Sequence, residues 1–330
     1  MSSQNIIDVD DIYSAQQRLA DYIRYTPIDE SKALGAITNT KVHLKLEHQQ
    51  TTNSFKIRGA SNAIGRLTDQ QKHSGVVCVS TGNHGRGIAF AAKQAGINAT
   101  IYMSSLVPDN KVKAIAELGA EIKIVGVSQD EAEATAIKYC EDSGAVYLPP
   151  FDHKDIICGQ GTLGLEIMQQ LPDTSCILVP VSGGGLVSGI AVAAKSINPG
   201  CKIYGISMEK GAAMIESQKA GKPVLVEELP TFADSLGGGI GLNNQYTFDL
   251  VKHYVDQTFQ VSEAEIAAAI RHAYFNEKQI IEGGASVGIA AILAGKLKLP
   301  DSTVVLLSGC NIDMKVHKAV LDGANDLNSV

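Results

Sequence analysis

Tryptophan is absent from this 330-residue chain, and Phe and Tyr number only 7 and 10. That profile suits an α/β protein with many tight βα turns better than an all-β shell. No stretch reaches the roughly 18 apolar residues of a membrane span. The opening residues, Met1-Ser2-Ser3-Gln4-Asn5, are polar, and no basic segment leads into an apolar run, so no secretory leader is expected. Basic clusters are also missing, and the net charge is −7, which argues against nucleic acid or an anionic membrane as partner. The six cysteines (Cys78, Cys140, Cys158, Cys176, Cys201, Cys310) contain no C-x-x-C pair. Most lie in or beside apolar strands, where a buried thiol is inert, so a reducing, cytoplasmic setting is expected.

What the chain does have is glycine, 32 residues of it, and 45% hydrophobic content, enough to bury one large core or two smaller ones. Residues 8–25 read as an amphipathic helix with Ile12, Ala15, Leu19 and Tyr22 along its stripe. The run 42–46 alternates as a strand. From residue 76 the pattern is regular: strands at 76–80, 99–103, 121–125 and 145–148 alternate with helices of ten or more residues. Such alternation implies right-handed crossovers and a parallel sheet, so 77–151 reads as a small domain inserted between 1–76 and 152–330. The second part repeats the grammar, with a helix at 160–171, strands at 176–181, 202–207 and 303–307, and a capping box from Ser262 to Glu265. A glycine-rich loop, 232–242, fits no regular element.

Four short segments carry chemistry. Lys56, in Ser54-Phe55-Lys56-Ile57-Arg58-Gly59-Ala60, opens a helix for which Asn53 and Ser54 are the expected N-cap residues. Val181-Ser182-Gly183-Gly184-Gly185-Leu186 stands between a strand and a helix. Three successive glycines bring backbone amides close to an anion, and a phosphate is the natural guest. No Gly-Lys-Ser/Thr follows, so the Walker pattern fails. Gly183, Gly185 and Gly189, with Glu209 after the next strand, match a loose dinucleotide fingerprint, so a nicotinamide oxidoreductase stays open as a rival. Ser80-Thr81-Gly82-Asn83-His84-Gly85 is a second strand-to-helix turn, able to hold a carboxylate. Ser308-Gly309-Cys310-Asn311 leaves a buried strand with its hydroxyl at the carboxyl edge, where α/β sheets bind ligands.

Taken together, the Ser54–Ala60 segment, the Gly-Asn-His-Gly turn, the triple glycine and Ser308-Gly309-Cys310-Asn311 resemble the pyridoxal-phosphate enzymes of the threonine dehydratase and serine racemase family. The resemblance runs in order along nearly the whole chain. It implies the tryptophan-synthase-β-like fold (fold type II): two doubly wound α/β domains with parallel sheets, a large one (1–76 and 152–330) that binds the cofactor and a small one (77–151) that closes over the substrate. It further implies that Lys56 carries pyridoxal phosphate as a Schiff base and acts as a base. Asn83 would bond the ring hydroxyl, and Gly183, Gly184, Gly185 and Leu186 would hold the phosphate. Ser308 would face the pyridine nitrogen, with Glu282 a neighbour of the cofactor. Ser80, Thr81, Asn83 and His84 would bind the substrate carboxylate. A homodimer is expected through the resemblance alone.

A serine opposite the ring nitrogen leaves that nitrogen largely unprotonated, so the ring is a weaker electron sink and β-elimination is favoured, the departing hydroxyl taking up the electrons. Thr81 stands where racemases of the family carry a serine, which favours a dehydratase over a serine or aspartate racemase. Ser207 and Ala213 occupy positions where cation-binding members have carboxylates, and Glu209 is out of step, so no metal is expected. Glu282-Gly283-Gly284-Ala285 replaces the family's Glu-Pro. No regulatory segment follows residue 330, so feedback by isoleucine is not expected. The substrate is a small β-hydroxy amino acid of threonine, serine or hydroxyaspartate type. The turn Thr81–Arg86 and Ser207-Met208-Glu209 also resemble the hydroxyectoine-utilisation and β-hydroxyaspartate dehydratase branch, in which Arg86 could read a second carboxylate.

Overall fold

The computed structural model describes residues 7–80, 82–105, 107, 109–127 and 129–329. Its strands are β1 (Ile28–Glu30), β2 (Val42–Lys45), β3 (Val76–Val79), β4 (Ala99–Met103), β5 (Glu121–Ile124), β6 (Val146–Tyr147), β7 (Cys176–Pro180), β8 (Lys202–Met208), β9 (Gln257–Val261) and β10 (Thr303–Leu306). They form two sheets, ordered β1-β2-β10-β7-β8-β9 and β5-β4-β3-β6. Every pairing is parallel except β1–β2, where Ile28 faces Lys45 across an antiparallel edge. β3, β4, β7 and β10 are buried along their whole length, as strands covered on both faces must be. β5 alternates charged residues at its sheet edge, which blunts it against further pairing.

The helix Gly283–Leu293 is apolar all round and is buried from Gly283 to Ile292 in the larger core, against β7 and β10. Helix Lys154–Gln170 has a different task. A Cβ on Gly159 would sit 2.5 Å from the Arg58 carbonyl oxygen, and one on Gly189 would collide in the same way with that of Ile157. Glycine therefore lets this helix touch both helix Lys56–Gly65 and helix Gly185–Ile197, backbone against backbone, and so sets the distance between Lys56 and the triple glycine.

Beneath the Lys56 helix lies a buried charge network. Arg58, 0% exposed, donates from Nε to Glu47 Oε1 at 2.6 Å and from Nη2 to Glu166 Oε2 at 2.8 Å. Lys45 reaches Glu166 Oε1 at 2.5 Å and the Thr26 carbonyl at 2.6 Å. Two cations and two carboxylates thus tie β2, the turn Glu47–Gln49 and two helices together, each partner hydrogen-bonded.

The structure corrects several sequence expectations. The first helix is Val9–Leu19, closed by an Asp8 capping box; Ile12, Ala15 and Leu19 are buried, but Tyr22 lies past its end and is 52% exposed. Helix Lys56–Gly65 has Phe55 at its N-cap and no side-chain cap, so Asn53 and Ser54 do not cap it. Instead this stretch pairs with the end of the chain: Phe55 N–H donates to Ser308 O, and Cys310 N–H to Asn53 O. The helix expected from 160 begins at Lys154, capped by His153. The 232–242 loop holds a 3₁₀ turn, Asp234–Leu236.

Candidate active site

The carboxyl ends of β3, β7 and β10 open onto one crevice between the two sheets, a cavity of about 310 Å³. Of the residues singled out in the sequence, Lys56, Ser80, Asn83, His84, Gly183, Gly184, Gly185, Leu186, Glu282 and Ser308 all line it. Thr81 lies outside the described residues.

Lys56 is the first residue of its helix. Its ammonium donates to the Pro150 carbonyl at 2.8 Å and stands 5.4 Å from the centre of the Phe55 ring, with no carboxylate partner in reach among the described residues. Burial therefore pulls its pKa down to about 8, against weaker opposition from Cys78 and Glu282. An amine so placed is about half uncharged at pH 8, where a free lysine is almost wholly protonated, and can serve as a nucleophile or base. Gly87 lets the helix Asn83–Ala95 cross against the Lys56 backbone, where a Cβ would sit 3.2 Å away.

Across the cavity, Gly184 takes a φ of +91° and caps helix Gly185–Ile197, which has no side-chain cap to use up its first amides. Only glycine fits this turn. A Cβ on Gly183 would run into the Phe151 ring, and one on Gly184 would lie 2.8 Å from Met214 Cε. The free amides and the helix dipole make a cradle for an anion.

The second turn differs from its expected role. Ser80 Oγ accepts from the amides of Gly82 (3.3 Å) and Gly85 (3.0 Å), which leaves its hydroxyl proton for a ligand. His84 is buried, and its Nε2–H donates to the Leu148 carbonyl at 2.9 Å. Burial, with Lys56 nearby, drives its pKa down to about 3. A neutral imidazole whose single N–H is already committed cannot donate to a carboxylate, so His84 can serve such a ligand only through its backbone amide.

The third side of the cavity carries groups that sequence reasoning missed. Asn83 Nδ2 donates to Glu282 Oε1 (2.8 Å), and Asn83 Oδ1 accepts from Asn311 Nδ2 (2.6 Å). Asn311 also donates from Nδ2 to Thr52 O (3.0 Å) and from its backbone to Glu282 Oε2 (3.0 Å). Burial, aided by Asp234, lifts the Glu282 carboxyl to about 7, while hydrogen bonds from Ser235, Asn83 and Asn311 hold it back. Gln160 is buried in the wall with its Oε1 lacking a partner among the described residues. Ser308, 4% exposed, lies two residues past the end of β10 and lines the cavity. Arg86 is half-buried at the rim and, among the described residues, has no hydrogen bond or ion pair from its guanidinium. The only sequence signal for Asn311 was its place in the Ser308 turn, and Gln160 gave none.

Among the described residues, no three His, Cys, Asp or Glu side chains gather as a metal would need, and no helix is long and apolar enough to cross a membrane. All six cysteines are free thiols.

A sequence profile described as pyridoxal-phosphate dependent enzyme matches residues 19–309. A protein of Sinorhizobium fredii provisionally named a threonine dehydratase is 48% identical over 98% of this chain and 98% of its own length. The L-threonine ammonia-lyase of Thermotoga maritima is 41% identical over 96% of this chain and 79% of its own. Among solved structures, maize serine racemase superposes with a TM-score of 0.89 at 36% identity, covering 94% of this chain and 95% of that one.

Proposed function

This chain belongs to the pyridoxal-phosphate dependent enzyme family, and from that membership we propose that it is an ammonia-lyase. It takes water out of a small β-hydroxy amino acid of threonine, serine or hydroxyaspartate type and yields a 2-oxo acid and ammonia. The observation that carries the reading is the meeting, in one cavity, of a lysine with a pKa near 8, a triple-glycine helix start and a lone serine. The nicotinamide reading of Gly183, Gly185 and Gly189 is set aside by the same membership.

The residues fit the cofactor. Gly183 and Gly184 have no room for side chains, so only amides face a phosphate. The Lys56 amine is uncharged often enough to take an aldehyde. Ser308 offers a hydroxyl rather than a carboxylate to a ring nitrogen, and buried Gln160 has an acceptor to spare. When bound, pyridoxal phosphate supplies an electron sink for loss of the substrate α-proton. Lys56 receives that proton. Ser80, with its hydroxyl proton unspent, and the helix-start amides at Asn83 and His84 hold the substrate carboxylate. Residues 77–151 close over the substrate as a small domain against 1–76 and 152–330. Six free thiols suit a cytoplasmic setting.

The test is an ammonia-release screen over serine, threonine and the hydroxyaspartate isomers, with racemisation followed in parallel. Ammonia and 2-oxo acid should appear in equal amounts from at least one of them. Racemisation without ammonia would make the chain a racemase instead. A homodimer belongs to the same reading, supported by the exposed Phe275 and Met314 on two helices that pack together. Light scattering should then give twice the 34.9 kDa chain mass, and a monomer mass would reject it.

A further inference from the structure

Three side chains on the cavity wall form a chain of hydrogen bonds whose direction is fixed from one end. The Thr52 carbonyl can only accept, so the Asn311 atom 3.0 Å from it is Nδ2 and not Oδ1. The second Nδ2–H of Asn311 then points at Asn83, which must answer with Oδ1, at 2.6 Å. That turns Asn83 Nδ2 toward Glu282, where Oε1 accepts one of its two protons at 2.8 Å. The other carboxylate oxygen of Glu282 accepts the Asn311 backbone N–H at 3.0 Å, which closes the ring. Gly309 lets the turn come this near, since a Cβ there would lie 3.0 Å from the Glu282 carboxyl. Only one polar hydrogen of the Asn83 amide remains for the cavity that Asn83 lines.

We propose that Glu282 and Asn311 are positioning residues that lock the Asn83 amide as a donor, so that position 83 meets the ring oxygen of a bound pyridoxal phosphate with an N–H and never with a carbonyl. The inference rests on the cofactor reading above. An amide free to turn would offer donor and acceptor alike, and half of its orientations would set a lone pair against the ring oxygen. The clamp also explains why Glu282, although it precedes the helix Gly283–Leu293, makes no capping bond with its side chain. Those oxygens are committed elsewhere.

The lock can be reversed without being broken. In the double variant Asn83→Asp with Glu282→Gln, the carboxylate now at position 83 accepts from Asn311 and from the new glutamine Nε2. The glutamine oxygen still accepts the Asn311 amide. Charge and hydrogen-bond count are conserved, yet position 83 presents only acceptors to the cavity. Holoenzyme stripped of its cofactor and retitrated with pyridoxal phosphate should show affinity weakened at least about tenfold and a displaced visible absorbance maximum. The melting temperature of the cofactor-free double variant should stay close to that of the parent. Affinity and spectrum equal to the parent's would overturn the proposal, and so would a fall in affinity matched by a fall in cofactor-free melting, the mark of a merely structural role. If the double variant does not fold, Asn311→Ala decides alone: looser cofactor at unchanged melting upholds the lock, and unchanged affinity ends it. A parent protein that takes up no pyridoxal phosphate at all would instead sink the cofactor reading.

Discussion

Replacing Lys56 by methionine is expected to reduce ammonia release by about 10³-fold or more, since it removes the amine proposed to take both cofactor and proton, while raising the melting temperature of the cofactor-free protein. The second effect follows from the direction of the pKa shift. Folding lowers the lysine from 10.5 to about 8 because the ammonium is drawn out of water against the Pro150 carbonyl, with no carboxylate beside it among the described residues. Below pH 8 the folded chain therefore holds a charge it would rather shed, at a cost on the order of 3 kcal/mol. As pH rises from 8 toward 10.5 the unfolded state binds more protons than the folded one, and the penalty fades. Methionine keeps the stem and discards the charge. Calorimetry of the cofactor-free proteins should thus show the variant melting higher at pH 7, with the gap narrowing at pH 9.5. Retained turnover would remove Lys56 from the chemistry. A lower melting temperature would show that the side chain stabilises the cavity and does not strain it.

The largest loss of stability is expected at Arg58. Truncation to alanine leaves Glu47 and Glu166 buried with Lys45 as the sole remaining cation, and Lys45 is itself held below its usual pKa by burial, with Glu166 pulling the other way. Breaking a buried pair from one side costs about 3–5 kcal/mol, because the stranded charge keeps its desolvation penalty. Arg58→Lys should recover only part of this, as an ammonium cannot span both carboxylates in the guanidinium's fork. Denaturant titration at fixed pH measures both. A loss under about 1 kcal/mol for Arg58→Ala would mean that water enters and solvates the network. Arg58 lies half a turn beyond Lys56 on the same helix, so cofactor affinity should fall along with stability.

The strands were the most legible part of the chain. β3, β4 and β10 are covered on both faces, and burial on both faces writes a nearly continuous apolar run into the sequence. Glycine in front of a helix likewise revealed the cradle at Gly183–Gly185. Local pattern failed where a distant segment decides the outcome. Asn53 and Ser54 look like a cap, yet the backbone there is already satisfied by Ser308 and Cys310. Helix Lys154–Gln170 carries Cys158, Gly159 and Gly161 in its first half, a poor helical signal whose glycines are explained by the three helices pressed against them. β1 is three residues long and antiparallel, too short for any period to show. Asn311 acquires a role only by meeting Asn83 and Glu282, and no spacing rule joins those three positions.

One pairing in the larger sheet has a consequence for synthesis. β2 adjoins β10, and Ser54 bridges Gly309, so the wall behind Lys56 joins stretches that lie far apart in the sequence. A nascent polypeptide emerging from the ribosome can shape the four-stranded sheet early, from contiguous residues 76–147. The pocket cannot exist until the last strand has emerged and inserted between β2 and β7. Coenzyme loading must on that account wait for β10, and a ribosome-stalled chain ending before residue 303 would have nowhere to keep it.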